Sequence, residues 1–136
     1  MTTYLDGRVT VETLGRDPTA GRFHTGDDRG AVAWLARGEG YDYIHVIEFA
    51  RAGVRRGFHA HPDHTESLYV FSGTLRMLAR EAEGGETVRI DLHAGEMATF
   101  APGVAHGFEA LEPSVAIALG RGGDPFDGTV PVPDLG

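Results

Sequence analysis

His59, His61 and Glu66 lie close together in the pattern G-x5-H-x-H-x4-E-x6-G, which runs from Gly53 to Gly73, and a later G-x2-H adds Gly103 and His106. Three imidazoles and one carboxylate suit a divalent ion of Fe, Mn, Ni, Co or Zn, and the chain has no cysteine whose thiolate would select Cu(I). One such ion per chain is expected, bound by His59, His61, Glu66 and His106. Four protein ligands saturate a tetrahedral zinc, as in structural sites, whereas an octahedral ion keeps two positions open. A site that does chemistry is therefore simplest with Fe(II), Mn(II), Ni(II) or Co(II).

Strands are the elements that bring such side chains together. Residues i and i+2 of a strand project from one face, so an extended segment points His59 and His61 the same way and turns Phe58 and Ala60 the other. After the Pro62-Asp63-His64-Thr65 turn, Glu66 opens an apolar run and shares a face with Leu68 and Val70. His106 follows the Pro102-Gly103 turn and arrives from a strand distant in sequence. A bound ion would then tie two β-hairpins together and couple its own binding to folding.

Periodicity gives strands over Arg8–Leu14, Ala31–Ala36, Tyr41–Ala50, Glu66–Phe71, Thr74–Arg80, Glu86–Leu92, Met97–Phe100 and Ser114–Leu119, and no segment has a helical period. Turn signals at Gly84-Gly85, Pro102-Gly103, Pro113 and Gly122-Gly123-Asp124-Pro125 recur at short intervals. That spacing favours an all-β sandwich or barrel over a βαβ sheet. Gly15 to Gly30 reads as a polar loop, and Pro125 to Gly136 as a Pro-rich tail ordered in part against the barrel or a neighbouring subunit. No repeat and no linker divides the 136 residues, so one domain over 1–136 is expected, of a size that buries roughly two thirds of its unfolded surface.

The two motifs resemble those of the cupin superfamily, G-x5-H-x-H-x3-4-E-x6-G and G-x5-P-x-G-x2-H-x3-N. The first is matched throughout. The second runs from Gly95 through Gly103 to His106, with Ala101 in place of its first proline and Ala110 in place of its asparagine, neither of them a metal ligand. The resemblance covers roughly 41–119, with a hairpin-plus-strand insert between Gly73 and Gly95. It implies a small cupin-type β-barrel, a double-stranded β-helix or jelly roll, with the metal inside.

Two coordination positions left free by four ligands must face an open barrel mouth, and strand phase offers Arg56, His45 and Tyr43 as substrate-binding groups there. Arg55 and Arg56 read either as contacts for an anionic substrate or as a solvated pair. His64 reads as a solvated turn residue rather than a fifth ligand, and His24 and His93 as surface residues. Trp34, Phe49, Phe71 and Phe100 read as core or dimer interface.

Composition excludes several classes. The net charge of -8 carries no basic cluster, which argues against a nucleic-acid partner. All 12 cationic residues are Arg, so Schiff-base and amine-base mechanisms are out. No apolar run long enough to span a membrane and no secretory leader is evident, and a cytoplasmic location is expected. A small barrel with open sheet edges also predicts a homodimer, with Arg8–Leu14 or the Pro-rich tail as natural partner strands.

Function then divides three ways. The leading expectation is a metal-dependent cupin enzyme on a small polar or carbohydrate-like metabolite, of isomerase, lyase or dioxygenase type. Asp28-Arg29-Gly30 and Arg56-Gly57-Phe58-His59-Ala60-His61 also resemble segments of the nucleotide-sugar epimerase and 3,4-ketoisomerase cupins, which commonly work without metal. That resemblance implies His59 or His61 as general base, a buried Tyr returning the proton and Arg residues on phosphate. Against it, Glu66 and His106 complete a ligand set that such enzymes usually lack. The third reading is a non-catalytic small-molecule-binding cupin.

Overall fold

The computed structural model describes residues 1–124, 126 and 128–135, and none of these is helical. No helix is therefore long and apolar enough to cross a membrane. Thirteen strands follow one another: β1 (Thr2–Tyr4), β2 (Val9–Thr13), β3 (Phe23–Asp27), β4 (Gly30–Trp34), β5 (Tyr43–Phe49), β6 (Arg55–Ala60), β7 (Thr65–Ser72), β8 (Thr74–Glu81), β9 (Val88–His93), β10 (Glu96–Phe100), β11 (Val104–Ala110), β12 (Ser114–Arg121) and β13 (Val130–Pro131). They form a six-stranded sheet in the order β1-β2-β10-β7-β12-β5, a five-stranded sheet in the order β13-β6-β11-β8-β9, and the separate β3-β4 hairpin. Every pairing is antiparallel.

Alternation drives the two sheets together. Leu68 and Val70 of β7, Val9 and Val11 of β2 and Ala98 and Phe100 of β10 meet Leu75, Met77 and Ala79 of β8 and Leu92 of β9 in one buried cluster. The opposite phase of β7 and β12 is apolar too, and the hairpin covers it: Tyr69, Met97, Leu119 and Leu14 are buried beside Ala33 and Leu35. This is the jelly-roll barrel that the strand pattern and motifs led one to expect.

Two expectations change. Residues 15–30 are not all loop, because Phe23–Asp27 pairs with β4 and Phe23 stacks on Trp34 with ring centroids 5.8 Å apart. One aromatic in a polar run gives no alternation, so only the pairing reveals that strand. Val9–Thr13 is no free edge, since β1 and β10 flank it. The tail takes the barrel side of its two expected placements: Val130–Pro131 pairs with β6, and Val132 and Leu135 are buried against Ala60, Leu78 and Ala105. Pro125, Asp127 and Gly136 of that tail lie outside the described residues.

Candidate metal centre and its cavity

The donor cluster draws on both sheets. His59 on β6 faces His106 on β11 in the five-stranded sheet, His61 follows directly after β6, and Glu66 enters from β7 of the six-stranded sheet. Alternation in β6 is broken by a bulge. His59 pairs with His106 but Gly57 pairs with Gly107, so Phe58 is the extra residue, with φ 61° beside Gly57 at φ 86°. A Cβ on Gly57 would lie 3.1 Å from the His106 carbonyl oxygen. The bulge thus needs a glycine, and it lets Arg56 and His59 face the same interior.

One ligand atom from each of His59, His61, Glu66 and His106 lies within 4.8 Å of the others. His61 is 3% exposed, Glu66 8% and His106 1%. His61 Nε2 stands 3.3 Å from Glu66 Oε2, and His106 Nε2 stands 3.3 Å from Glu66 Oε1. Neither nitrogen makes a hydrogen bond, although both are buried. Orphaned buried polar atoms are costly, and four donors that converge without satisfying one another can share a cation. This donor set can hold a metal ion.

Protonation fits that reading. His106 Nδ1 donates to the Val104 carbonyl at 3.1 Å, which turns its Nε2 toward the cluster. His61 Nδ1 lies 3.1 Å from Thr129 Oγ1, again with Nε2 inward. Burial, reinforced by His106 and His61, pushes His59 down to about 4, so its imidazole is neutral at neutral pH. For Glu66 burial acts upward, but His106, His61 and Tyr43 outweigh it and hold the carboxyl well below its usual range.

Beside the cluster opens a cavity of about 370 Å³. His45 and Arg56, two of the three expected substrate-binding residues, line it. Arg56 Nε donates to the Glu48 carbonyl at 3.0 Å, and the His45 ring lies 4.9 Å from Tyr43 and 6.2 Å from Phe126. Tyr43 does not line the cavity; its hydroxyl donates to Glu66 Oε2. Arg55 turns away, its guanidinium 4.1 Å above the Phe58 ring. Arg29 pairs with Asp27 in the turn of the β3-β4 hairpin, off the cavity.

His64 departs from its expected place in solvent. It is 3% exposed and stacks on His61 at 4.3 Å. The turn can fold inward because Gly122 and Gly123 cross it: a Cβ on Gly122 would approach the His64 Cβ to 3.2 Å. His24 is half-buried rather than a surface residue, with Nδ1 bonded to the buried Tyr69 hydroxyl, while His93 is exposed. Phe49 and Phe100 are core, Phe71 is half-buried, and Trp34 is 45% exposed. Phe126 and Thr129 escaped the sequence reading because the tail offers no periodicity from which to place them.

Comparison with known proteins supports this architecture. Residues 45–119 match the family model described as "Cupin domain". Among solved structures, the 3,4-ketoisomerase QdtA from Thermoanaerobacterium thermosaccharolyticum superposes with a TM-score of 0.71 at 13% identity, covering 90% of this chain and 86% of that one. A 3,4-ketoisomerase from Helicobacter canadensis gives 0.70 at 12% identity, covering 90% and 89%. The capsular polysaccharide assembling protein CapF from Staphylococcus aureus gives 0.61 at 21% identity, covering 82% of this chain and 34% of that one. Likeness at such identities shows a shared fold. No curated protein sequence matches the chain. With both sheets, the paired motifs and more than half of its residues matched, the chain belongs to the cupin family.

Proposed function

We propose that this cupin is a metal-dependent enzyme in which His59, His61, Glu66 and His106 bind one divalent ion and the adjoining cavity takes a small-molecule substrate. One observation carries the reading: the buried Nε2 atoms of His61 and His106 lack any hydrogen-bond partner while facing Glu66 at 3.3 Å. When bound, such an ion supplies Lewis acidity for isomerase or lyase chemistry and, as Fe(II), redox capacity for dioxygenase chemistry. The chain's own groups prepare the site. Val104 fixes the His106 tautomer, Tyr43 orients Glu66, and Phe49, Leu68 and Phe108 keep water from the inner cavity. We read residues 1–136 as a single domain, a reading supported by the pairing of β13 with β6.

Elemental analysis of protein purified without a histidine tag tests the assignment. The expected result is close to one Fe, Mn, Ni, Co or Zn ion per chain, with sharply lower occupancy in His61→Ala and Glu66→Ala. Full occupancy in both variants would sink it.

A metal-independent 3,4-ketoisomerase is the second reading, favoured by the fold likeness to such enzymes. His59 or His61 would then remove the proton alpha to a keto group. Chelated, metal-free protein and TDP-4-keto-6-deoxyglucose separate the two. Conversion as fast as in the untreated sample, stopped by His59→Ala, would replace the metalloenzyme reading with this one.

A further inference from the structure

The cavity wall beside the donor cluster is apolar. Phe49, Leu68, Phe108 and Ala118 line the inner cavity and are buried, Ile47 continues that surface, and Phe126, 88% exposed, stands at the mouth. Outside the donor cluster, the polar side chains lining the cavity among the described residues are His45, Arg56 and Thr129, and Thr129 already contacts His61. Asn, Gln and Lys, common partners for sugar hydroxyls, are absent from the whole chain. A polyol in this cavity would bury hydroxyl groups against hydrocarbon, and each one left unpaired costs about tenfold or more in affinity.

Size and charge agree. The inner cavity of about 370 Å³ is at the lower end for ligand sites, and the groove that continues from it past His45, Ile47 and Arg56 adds a carboxylate, Glu48, where a nucleotide sugar's diphosphate would lie. A diphosphate calls for several cations, yet Arg56 is the one arginine that touches the cavity among the described residues. Arg55 lies on Phe58 and Arg29 is paired with Asp27.

We propose that the substrate is a compact apolar molecule, aromatic or branched, that carries one chelating oxygen headgroup, and is neither a polyol nor a nucleotide sugar. This rests on the metal-site reading above and narrows it. The headgroup's adjacent oxygens face His59, His61, Glu66 and His106. The hydrocarbon body lies along Phe49, Leu68, Phe108 and Ala118, and the His45 and Phe126 rings, nearly parallel at 21°, flank the entrance.

The test uses full-length protein loaded with Co(II), whose visible spectrum reports its ligands independently of turnover. Calorimetric titration compares tropolone, an apolar ring with adjacent oxygens, with gluconate, a chelating polyol, and with TDP-glucose, metal content being measured again after each titration. Tropolone should bind at least tenfold more tightly than either, with a negative heat-capacity change. Ile47→Asn and Ala118→Ser place a polar group on the wall, the second with little change in volume. Each should weaken tropolone severalfold or more and leave the ligand-free Co(II) spectrum unchanged. Gluconate or TDP-glucose binding as tightly as tropolone, or wall variants without effect, would overturn the substrate class alone. Failure to take up Co(II), or retention of it in His61→Ala, would instead overturn the metal reading and the headgroup with it.

Discussion

The Tyr43 hydroxyl reaches across a whole strand to donate a hydrogen bond to Glu66, and it does so over Gly120. Gly120 of β12 is the register partner of Tyr43 on β5 and of Glu66 on β7. A Cβ at Gly120 would stand 2.0 Å from the Tyr43 ring, so only glycine lets the phenol lie flat there. Burial and the Glu66 carboxylate both push the Tyr43 hydroxyl up, which keeps it a donor. The bond fixes Glu66 Oε2, the oxygen that also faces His61.

If Tyr43 positions Glu66 for a metal, its loss should be felt in affinity. Tyr43→Phe should weaken divalent-ion binding about 10–100-fold with the fold retained, as for other partners that orient a ligand. Gly120→Ala should do the same by displacing the ring, and the double variant should be no worse than Gly120→Ala alone. Competitive metal titration measures all three. Wild-type affinity in Tyr43→Phe would leave the hydroxyl a structural bond only.

Metal removal should lower stability by mass action. With free metal at 100 times Kd the contribution is about 2.7 kcal/mol. A chelator should therefore lower the melting temperature of the metal-loaded wild type by several degrees and leave that of His106→Ala unmoved. Equal shifts in the two proteins would show that the stabilising ion sits elsewhere.

The bulge in β6 makes a separate prediction. Gly57→Ala puts a side chain at φ 86°, 3.1 Å from the His106 carbonyl oxygen, and should cost about 1–3 kcal/mol. Since the strain falls between Arg56 and His59, metal occupancy should drop along with stability. Chemical denaturation and elemental analysis read the two effects, and an unperturbed variant would mean the bulge tolerates other residues.

A homodimer would need a different surface from the one the strand pattern suggested, because β2 and the tail pair within the chain. Strand β5 ends the six-stranded sheet, and its outward Ile44 and Val46 are 62% and 75% exposed. We propose that two copies meet there, burying an apolar edge that would otherwise invite aggregation. Light scattering should give a dimer at tens of micromolar, and Ile44→Asp with Val46→Asp should give a monomer. A wild-type monomer at that concentration would refute it.

Local chemistry determined what the sequence alone conveys. Ligand identity is written in residue type, and the i, i+2 rule put His59 with His61 and Glu66 with Leu68 and Val70, because alternation depends only on near neighbours. Breakers marked the turns, and apolar alternation marked most strands. Long-range register was decided by the tertiary structure. Strand phase named Arg56 for the cavity, yet strict alternation from His59 would turn it outward, and only the extra residue at Phe58 brings it in. No local pattern says that Tyr43 crosses Gly120, that Gly122 and Gly123 leave room for a buried His64, or that the tail returns to seat Thr129 against His61. Each of these depends on which strand lies beside which, and that is set by how two apolar faces pack rather than by the order of residues along either one.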